Sequence, residues 1–69
     1  MRLSSGHEVY GKNGVFIIAE RPSGDVVSAF YAVEGSPGWW RGHAFGRVRR
    51  LFLPGAEPLT VAERFMRRP

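Results

Sequence analysis

One segment of the chain mixes aromatic and basic side chains more densely than the rest. Residues 39–50 contain two tryptophans, one phenylalanine and four arginines. Arginine offers phosphate a planar fork of donors, and aromatic rings stack on nucleobases. This combination is typical of surfaces that bind nucleic acid by stacking and phosphate contact. The candidate contact residues in the segment are Trp39, Trp40, Arg41, Arg47, Arg49 and Arg50.

The positive charge is concentrated in the second half of the chain. The net charge is +4, and residues 1–34 carry three basic and four acidic side chains. Residues 35–69 carry seven basic and two acidic side chains, among them Arg64 and Arg67, which join the candidate contacts. An uneven distribution of this kind favours an anionic partner for the second half.

Two other interpretations of the same segment remain open. In the first, a tryptophan fills a small core, and the arginines form a solvated strand edge that blocks unwanted sheet pairing. In the second, the tryptophans and arginines anchor a protein interface, where both residue types are enriched. The sequence thus predicts a small basic nucleic-acid-binding protein, such as a DNA-binding regulator. The alternative is a protein-interaction module, an inhibitor, regulator or accessory subunit that docks through exposed aromatics.

The sequence contains no pattern typical of catalysis or metal binding. It lacks cysteine, a Gly-x-Ser-x-Gly elbow, a His-Glu-x-x-His pair and a phosphate-binding Gly-x-x-x-x-Gly-Lys loop. The two histidines, His7 and His43, are too few to hold zinc without carboxylate help. We therefore expect a protein that is not an enzyme and that carries no cofactor and no metal.

The length of 69 residues predicts a single domain over residues 1–69, with residues 1–6 frayed. A domain of this size buries about 60% of the surface of its unfolded chain. Without disulfides or metal, formation of a homodimer is one way to gain further stability. No apolar run approaches the length of a membrane span, and no signal peptide is visible, so we expect no membrane association and a cytoplasmic location.

Turn residues divide the first half of the chain into strands. Short apolar runs predict strands at residues 7–10, 15–20 and 26–34. Asn13-Gly14 is a strong hairpin signal between the first two strands, and residues 21–25, with Pro22 and Gly24, predict the next turn. Neither face of the 26–34 strand is strongly polar, so we expect both faces to be covered.

Residues 39–52 fit two secondary structures. Ala44, Phe45, Val48, Leu51 and Phe52 follow a helical spacing, whereas Gly42 and Gly46 disfavour a helix. A hairpin that turns near Phe45-Gly46 is the favoured alternative. After the breaker residues 53–58, the spacing of Thr60 and Glu63 matches a capping box, which predicts a helix over residues 60–67.

Together these elements predict an α+β fold, in which a small antiparallel β-sheet, a meander of three to five strands, packs against a C-terminal α-helix. The alternative is a small SH3-like barrel with the helix as an appendage. The predicted core residues are Val15, Ile17, Phe30, Val33, Trp40, Leu51, Leu59 and Phe65.

Three short features of residues 14–69 resemble the arm-type DNA-binding domain of tyrosine recombinases. They are the Pro22-Ser23-Gly24 turn, the basic strand at residues 47–53, and the Pro-Leu-Thr-Val-Ala-Glu run at residues 58–63. The resemblance implies a three-stranded antiparallel sheet, a C-terminal helix and a DNA partner. The chain departs from that family at residues 36–45, which would be an insertion.

Overall fold

Five antiparallel strands and one helix follow one another along the chain. The computed structural model describes residue 3 and residues 6–67. The elements are β1 (Glu8–Lys12), β2 (Val15–Ala19), β3 (Val26–Ala32), β4 (Trp39–Ala44), β5 (Arg47–Phe52) and α1 (Pro58–Phe65). The sheet order is β1-β2-β3-β4-β5, so each strand pairs with its neighbours in sequence. The predicted α+β meander is confirmed. The alternative, a small SH3-like barrel, is not confirmed, because the sheet stays open at β1 and β5.

Both tight hairpins are made by two-residue turns with positive φ angles. Asn13 and Gly14 have φ angles of 54° and 81°, and Phe45 and Gly46 have φ angles of 54° and 74°. Two successive positive φ angles give the turn geometry whose twist matches that of the flanking strands. Residues 39–52 therefore form the hairpin rather than the helix.

Helix α1 begins earlier than the sequence predicts. Glu57 is the N-cap without a side-chain capping bond, and Pro58 occupies the first turn. Proline suits this position because its φ is preset and its missing N–H would have no partner there. The capping box predicted at Thr60 and Glu63 is wrong, since Thr60 lies within the helix. In the described part of the chain, no helix is long and apolar enough to cross a membrane.

The helix covers one face of the sheet. The rings of Phe30, in the central strand, and Phe65, in α1, stack with centroids 5.3 Å apart, and Phe16 stacks on Phe30 at 5.4 Å. Trp40, Leu51 and Leu59 are partly buried against this cluster, as expected. The fully buried cluster consists of Leu3, Val9, Ile18, Phe30, Val61, Ala62 and Phe65.

Three predicted core residues lie outside this cluster. Val15, at 46% exposure, shares the opposite face of β2 with Ile17, because Phe16 and Ile18 are the β2 residues that pack on the helix side. Val33 follows β3 and is also absent from the cluster. A continuous apolar run does not reveal which alternate residues point inward. The expectation that both faces of β3 are covered is wrong too, since Tyr31 is 40% exposed.

Leu3 anchors the chain ahead of β1. Its side chain is buried at 3% exposure, and its N–H donates to the His7 carbonyl at 2.8 Å. The expected fraying of residues 1, 2, 4 and 5 lies outside the described residues.

We predict that Thr60→Ala changes the free energy of unfolding by no more than about 0.5 kcal/mol, because the Thr60 hydroxyl caps nothing. Glu57→Ser supplies the missing side-chain acceptor at the N-cap and should raise the free energy of unfolding by about 1 kcal/mol. Urea denaturation of both variants measures these changes. A loss of about 1 kcal/mol in Thr60→Ala would support a cap at Thr60 and contradict the observed helix start.

We predict that Gly42→Ala destabilises the fold by about 2 kcal/mol or more, through overpacking. A Cβ atom at Gly42 would lie 2.4 Å from the Ala29 carbonyl oxygen and 2.6 Å from Phe30 Cβ. Gly46→Ala is the matched control: its Cβ meets nothing within 4 Å, and only its φ of +74° opposes it. Gly46→Ala should lower the free energy of unfolding by about 1 kcal/mol. Equal urea midpoints for the two variants would contradict the close approach of β3 and β4.

Candidate nucleic-acid interface

Strand alternation divides the candidate residues between the two faces of the sheet. Successive side chains of a strand point to opposite faces. On β4, Trp40 packs toward the helix while Trp39 and Arg41 point away from it. On β5, Leu51 packs toward the helix, so that Arg50 and Phe52 point away. We call the side of the sheet opposite α1 the open face.

Five open-face residues of β3, β4 and β5 form a contiguous group. Arg41 pairs with Tyr31 on one side and Arg50 on the other, and Trp39 pairs with Phe52. Paired residues on neighbouring strands are about 4.8 Å apart, and the two rows are about 6.8 Å apart along the strands. We call this group the aromatic–arginine cluster: Tyr31, Trp39, Arg41, Arg50 and Phe52.

The Trp39–Phe52 pair is held in place from several sides. The ring centroids are 5.2 Å apart with an interplanar angle of 48°. Gly38 has a φ of +87°, and a Cβ there would lie 2.8 Å from Phe52 Cε1, so only glycine lets the ring rest against this turn. The Leu53 N–H donates to the Gly38 carbonyl at 2.7 Å. Trp39 and Phe52 nevertheless remain 41% and 55% exposed as residues, so a ligand can reach them.

Arg41 and Arg50 face each other, and no carboxylate of the described residues neutralises them. They are directly opposite on β4 and β5, and both are exposed. Within residues 6–67, neither guanidinium group forms an ion pair with a carboxylate. None of β2, β3, β4 and β5 contains an aspartate or glutamate. Like charges directly opposite across a sheet destabilise it, and an anion between them removes this cost.

Two shallow recesses flank Arg50 on the open face. One, of ≈ 210 Å³, is lined by Val33, Ser36, Trp39 and Arg50. The other, of ≈ 320 Å³, is lined by Arg41, Val48 and Arg50. Arg50 therefore borders both an aromatic recess and a basic one, and a single ligand can contact ring and charge together.

The structure places Trp40 in the core instead of in the cluster. Its ring centroid is 5.9 Å from that of Phe30 and 6.3 Å from that of Phe16. Trp40 is therefore partly buried against the core on the helix side of the sheet. Of the two tryptophans, Trp39 is the more exposed.

The remaining candidate arginines lie on or near the helix side of the sheet. Arg47 and Arg49 share a face of β5 with Leu51, which packs against the core. The Arg49 Nη1 donates to the Arg67 carbonyl at 3.3 Å, and Arg64 lies in the last turn of α1. Cations at a helix C-terminus interact favourably with its partial negative charge. Arg49 thus connects β5 to the end of α1, a structural role that the sequence analysis did not anticipate.

Sequence reasoning missed two members of the cluster, Tyr31 and Phe52. A signal for Phe52 was present: a two-residue turn at Phe45-Gly46 places Ala44 opposite Arg47 and hence Trp39 opposite Phe52. Tyr31 has no such signal, because the loop between β3 and β4 is longer and does not fix their register.

The opposite end of the open face has a different charge. Glu8 forms an ion pair with Arg21 and accepts a hydrogen bond from the Tyr10 hydroxyl. This corner beside β1 therefore contains paired charges, whereas Arg41 and Arg50 at the β4–β5 end pair with no carboxylate of the described residues. The β4–β5 end is therefore the more positive end of the open face.

Among the described residues, no three His, Asp or Glu side chains lie close enough together to hold a metal ion. The Ser28 hydroxyl is buried and donates to the His43 carbonyl at 2.6 Å, which gives it a structural role.

Comparison with protein-family models, with curated proteins and with solved structures finds no match. The resemblance to arm-type domains therefore stays a hypothesis. Residues 39–44, part of the segment that it treats as an insertion, form β4 in the interior of the sheet.

We predict that the two tryptophans differ in their importance for stability. Trp40→Ala should lower the free energy of unfolding by about 3 kcal/mol, because it leaves a cavity beside Phe30. Trp39→Ala loses mainly the contact with the Phe52 ring and should cost about 1 kcal/mol. Chemical denaturation of both variants checks this order. The reverse order would mean that Trp39, not Trp40, faces the helix.

Proposed function

We propose that this protein binds nucleic acid, without catalysis, through the aromatic–arginine cluster. The observation that carries the proposal is the Arg41–Arg50 pair, which is exposed, directly opposed and without a carboxylate partner in the described chain. Beside it lies the half-exposed Trp39–Phe52 pair. Phosphate groups can bind the two guanidinium groups, and nucleobases can stack on the two aromatic rings.

Each part of the cluster has a distinct role in this proposal. Arg41 and Arg50 contact phosphate oxygens, and charge-assisted hydrogen bonds of this type are the strong ones. Trp39, Phe52 and Tyr31 present ring faces to the bases. Arg47, Arg64 and Arg67 add to the positive field that attracts the ligand, but they do not belong to the open face.

A second copy of the chain is a poor occupant of this face. A two-fold interface places the same patch against itself. Such a contact would bring two Arg41–Arg50 pairs together and increase the repulsion that a partner must relieve. The charge of the cluster therefore favours a polyanion over self-association through the open face.

A protein partner is the second candidate, and one observation favours it. Tyrosine, tryptophan and arginine, which dominate protein-interface hot spots, all occur in the cluster. The two candidates differ in their salt dependence. Phosphate binding releases counterions, so its affinity falls steeply with salt, whereas an aromatic-anchored protein interface responds less.

We predict that Arg41→Ala/Arg50→Ala weakens binding of a fluorescein-labelled 20-nucleotide mixed-sequence single strand at least about 10-fold, because two charge-assisted contacts are lost. The slope of log affinity against log salt should become shallower by about 1.4. Fluorescence anisotropy at several salt concentrations measures both quantities.

Arg47→Ala/Arg64→Ala is the charge-matched control. It removes the same charge from residues outside the open face, and its loss of affinity should be clearly smaller. Equal losses in the two double variants would show that net charge, and not the cluster, determines binding. If the unchanged protein fails to bind at low salt, the proposal is refuted, and protein partners become the target of the search.

Arg50→Glu separates loss of binding from loss of folding. A glutamate at this position faces Arg41 across the strands, and an opposite-charge pair should stabilise the sheet by about 0.5 kcal/mol. We expect this variant to unfold at a urea concentration at least as high as the original while it loses binding. A destabilised Arg50→Glu variant would contradict the unfavourable Arg41–Arg50 contact.

A further inference from the structure

We infer that the aromatic–arginine cluster selects single-stranded over double-stranded nucleic acid, because it recognises base faces rather than base edges. This inference rests on the proposed function and specifies its ligand. It follows from the exposure of the rings, the width of the sheet, and the arrangement of ring and charge within the cluster.

The first observation is the exposure of the three rings. Tyr31, Trp39 and Phe52 are 40%, 41% and 55% exposed on one face. A ring that lies on a protein surface can stack only on a base whose own face is uncovered. Bases within a duplex are covered by their neighbours, whereas those of a single strand can be splayed out onto aromatic side chains. Duplex binding would leave the rings of the cluster without their best partner.

The second observation is the width of the open face. Five strands spaced by about 4.8 Å make a surface about 19 Å wide. The major groove of B-form DNA is about 12 Å wide and admits a helix or a two-stranded ribbon. The open face is thus too wide to lie flat in the groove, whereas an extended single strand can cross it.

The third observation is the relation of ring to charge. Trp39 and Arg50 line the same recess, and Arg41 lies one row from Trp39 on the same strand. A base stacked on the Trp39–Phe52 pair therefore brings its own phosphate beside the two guanidinium groups. Tyr31, next to Arg41 in the register, offers a ring for an adjacent base. The cluster accordingly has the size to contact two or three nucleotides.

The test compares three labelled 12-mers with matched ends: single-stranded oligo-dT, the dT·dA duplex, and an abasic strand with the same phosphates but no bases. Anisotropy titrations at one low salt concentration give three affinities. We expect the oligo-dT to bind about 10-fold or more tightly than the abasic strand, because each stacked base contributes strongly. It should also bind more tightly than the duplex. An oligo-U arm shows whether RNA and DNA strands behave alike.

Two variants connect this difference to the cluster. Trp39→Ala should reduce oligo-dT affinity toward that of the abasic strand while leaving the abasic affinity almost unchanged. Tyr10→Ala is the matched control, since Tyr10 is an open-face ring at 51% exposure that lies on β1, outside the cluster, and this variant should bind like the original. In Trp39→Phe, Trp40 is the only tryptophan left, so ligand-induced quenching should largely disappear when tryptophan alone is excited.

The outcomes separate the inference from the proposed function. Equal affinities for the three probes, or tighter duplex binding, would leave nucleic-acid binding in place but overturn single-strand selection. An unchanged preference for oligo-dT in Trp39→Ala would overturn the role of the ring. A failure of all probes to bind at low salt would overturn the proposed function, and the inference with it.

Discussion

The stacking of Phe65 on Phe30 determines the rest of the structure. Phe30 lies in the central strand, and its ring contacts those of Phe16, Trp40 and Phe65. Helix α1 packs against this aromatic group and so covers one face of the five-stranded sheet. Once this contact fixes which face is covered, alternation along each strand decides which side chains remain accessible. The open face therefore follows from the core.

The positions of the strands could be predicted from the turn residues. Which face of each strand points toward the core could not. Asn13-Gly14 and Phe45-Gly46 end strands at recognisable residues, so the hairpins follow from the sequence. In β2 the sequence is Val-Phe-Ile-Ile-Ala, and this run contains no polar residue to show which side is inward. The start of α1 was missed because Pro58 and a capping-box pattern compete within one turn, and proline prevails.

Composition indicated the candidate segment. It did not show which of its side chains lie on the open face and which pack on the helix side. Trp39 and Trp40 are adjacent and identical, yet one contacts Phe52 on the open face and the other contacts Phe30 in the core. Arg49 and Arg50 differ in the same way: one donates to the Arg67 carbonyl and the other faces Arg41. Only the register of the sheet distinguishes such neighbours, and register depends on contacts that are distant in sequence.

The meander has a consequence for how the chain folds. Every strand pairs with the strand next to it in sequence, so most of the sheet can form through short-range contacts, and such topologies fold fast. The helix, however, follows all five strands. A chain whose strands had paired before the helix formed would expose the apolar side of the sheet, because Phe65 is part of what covers it. Exposed apolar surface of this kind favours aggregation, so the last helical turn also keeps the chain from associating through its sheet.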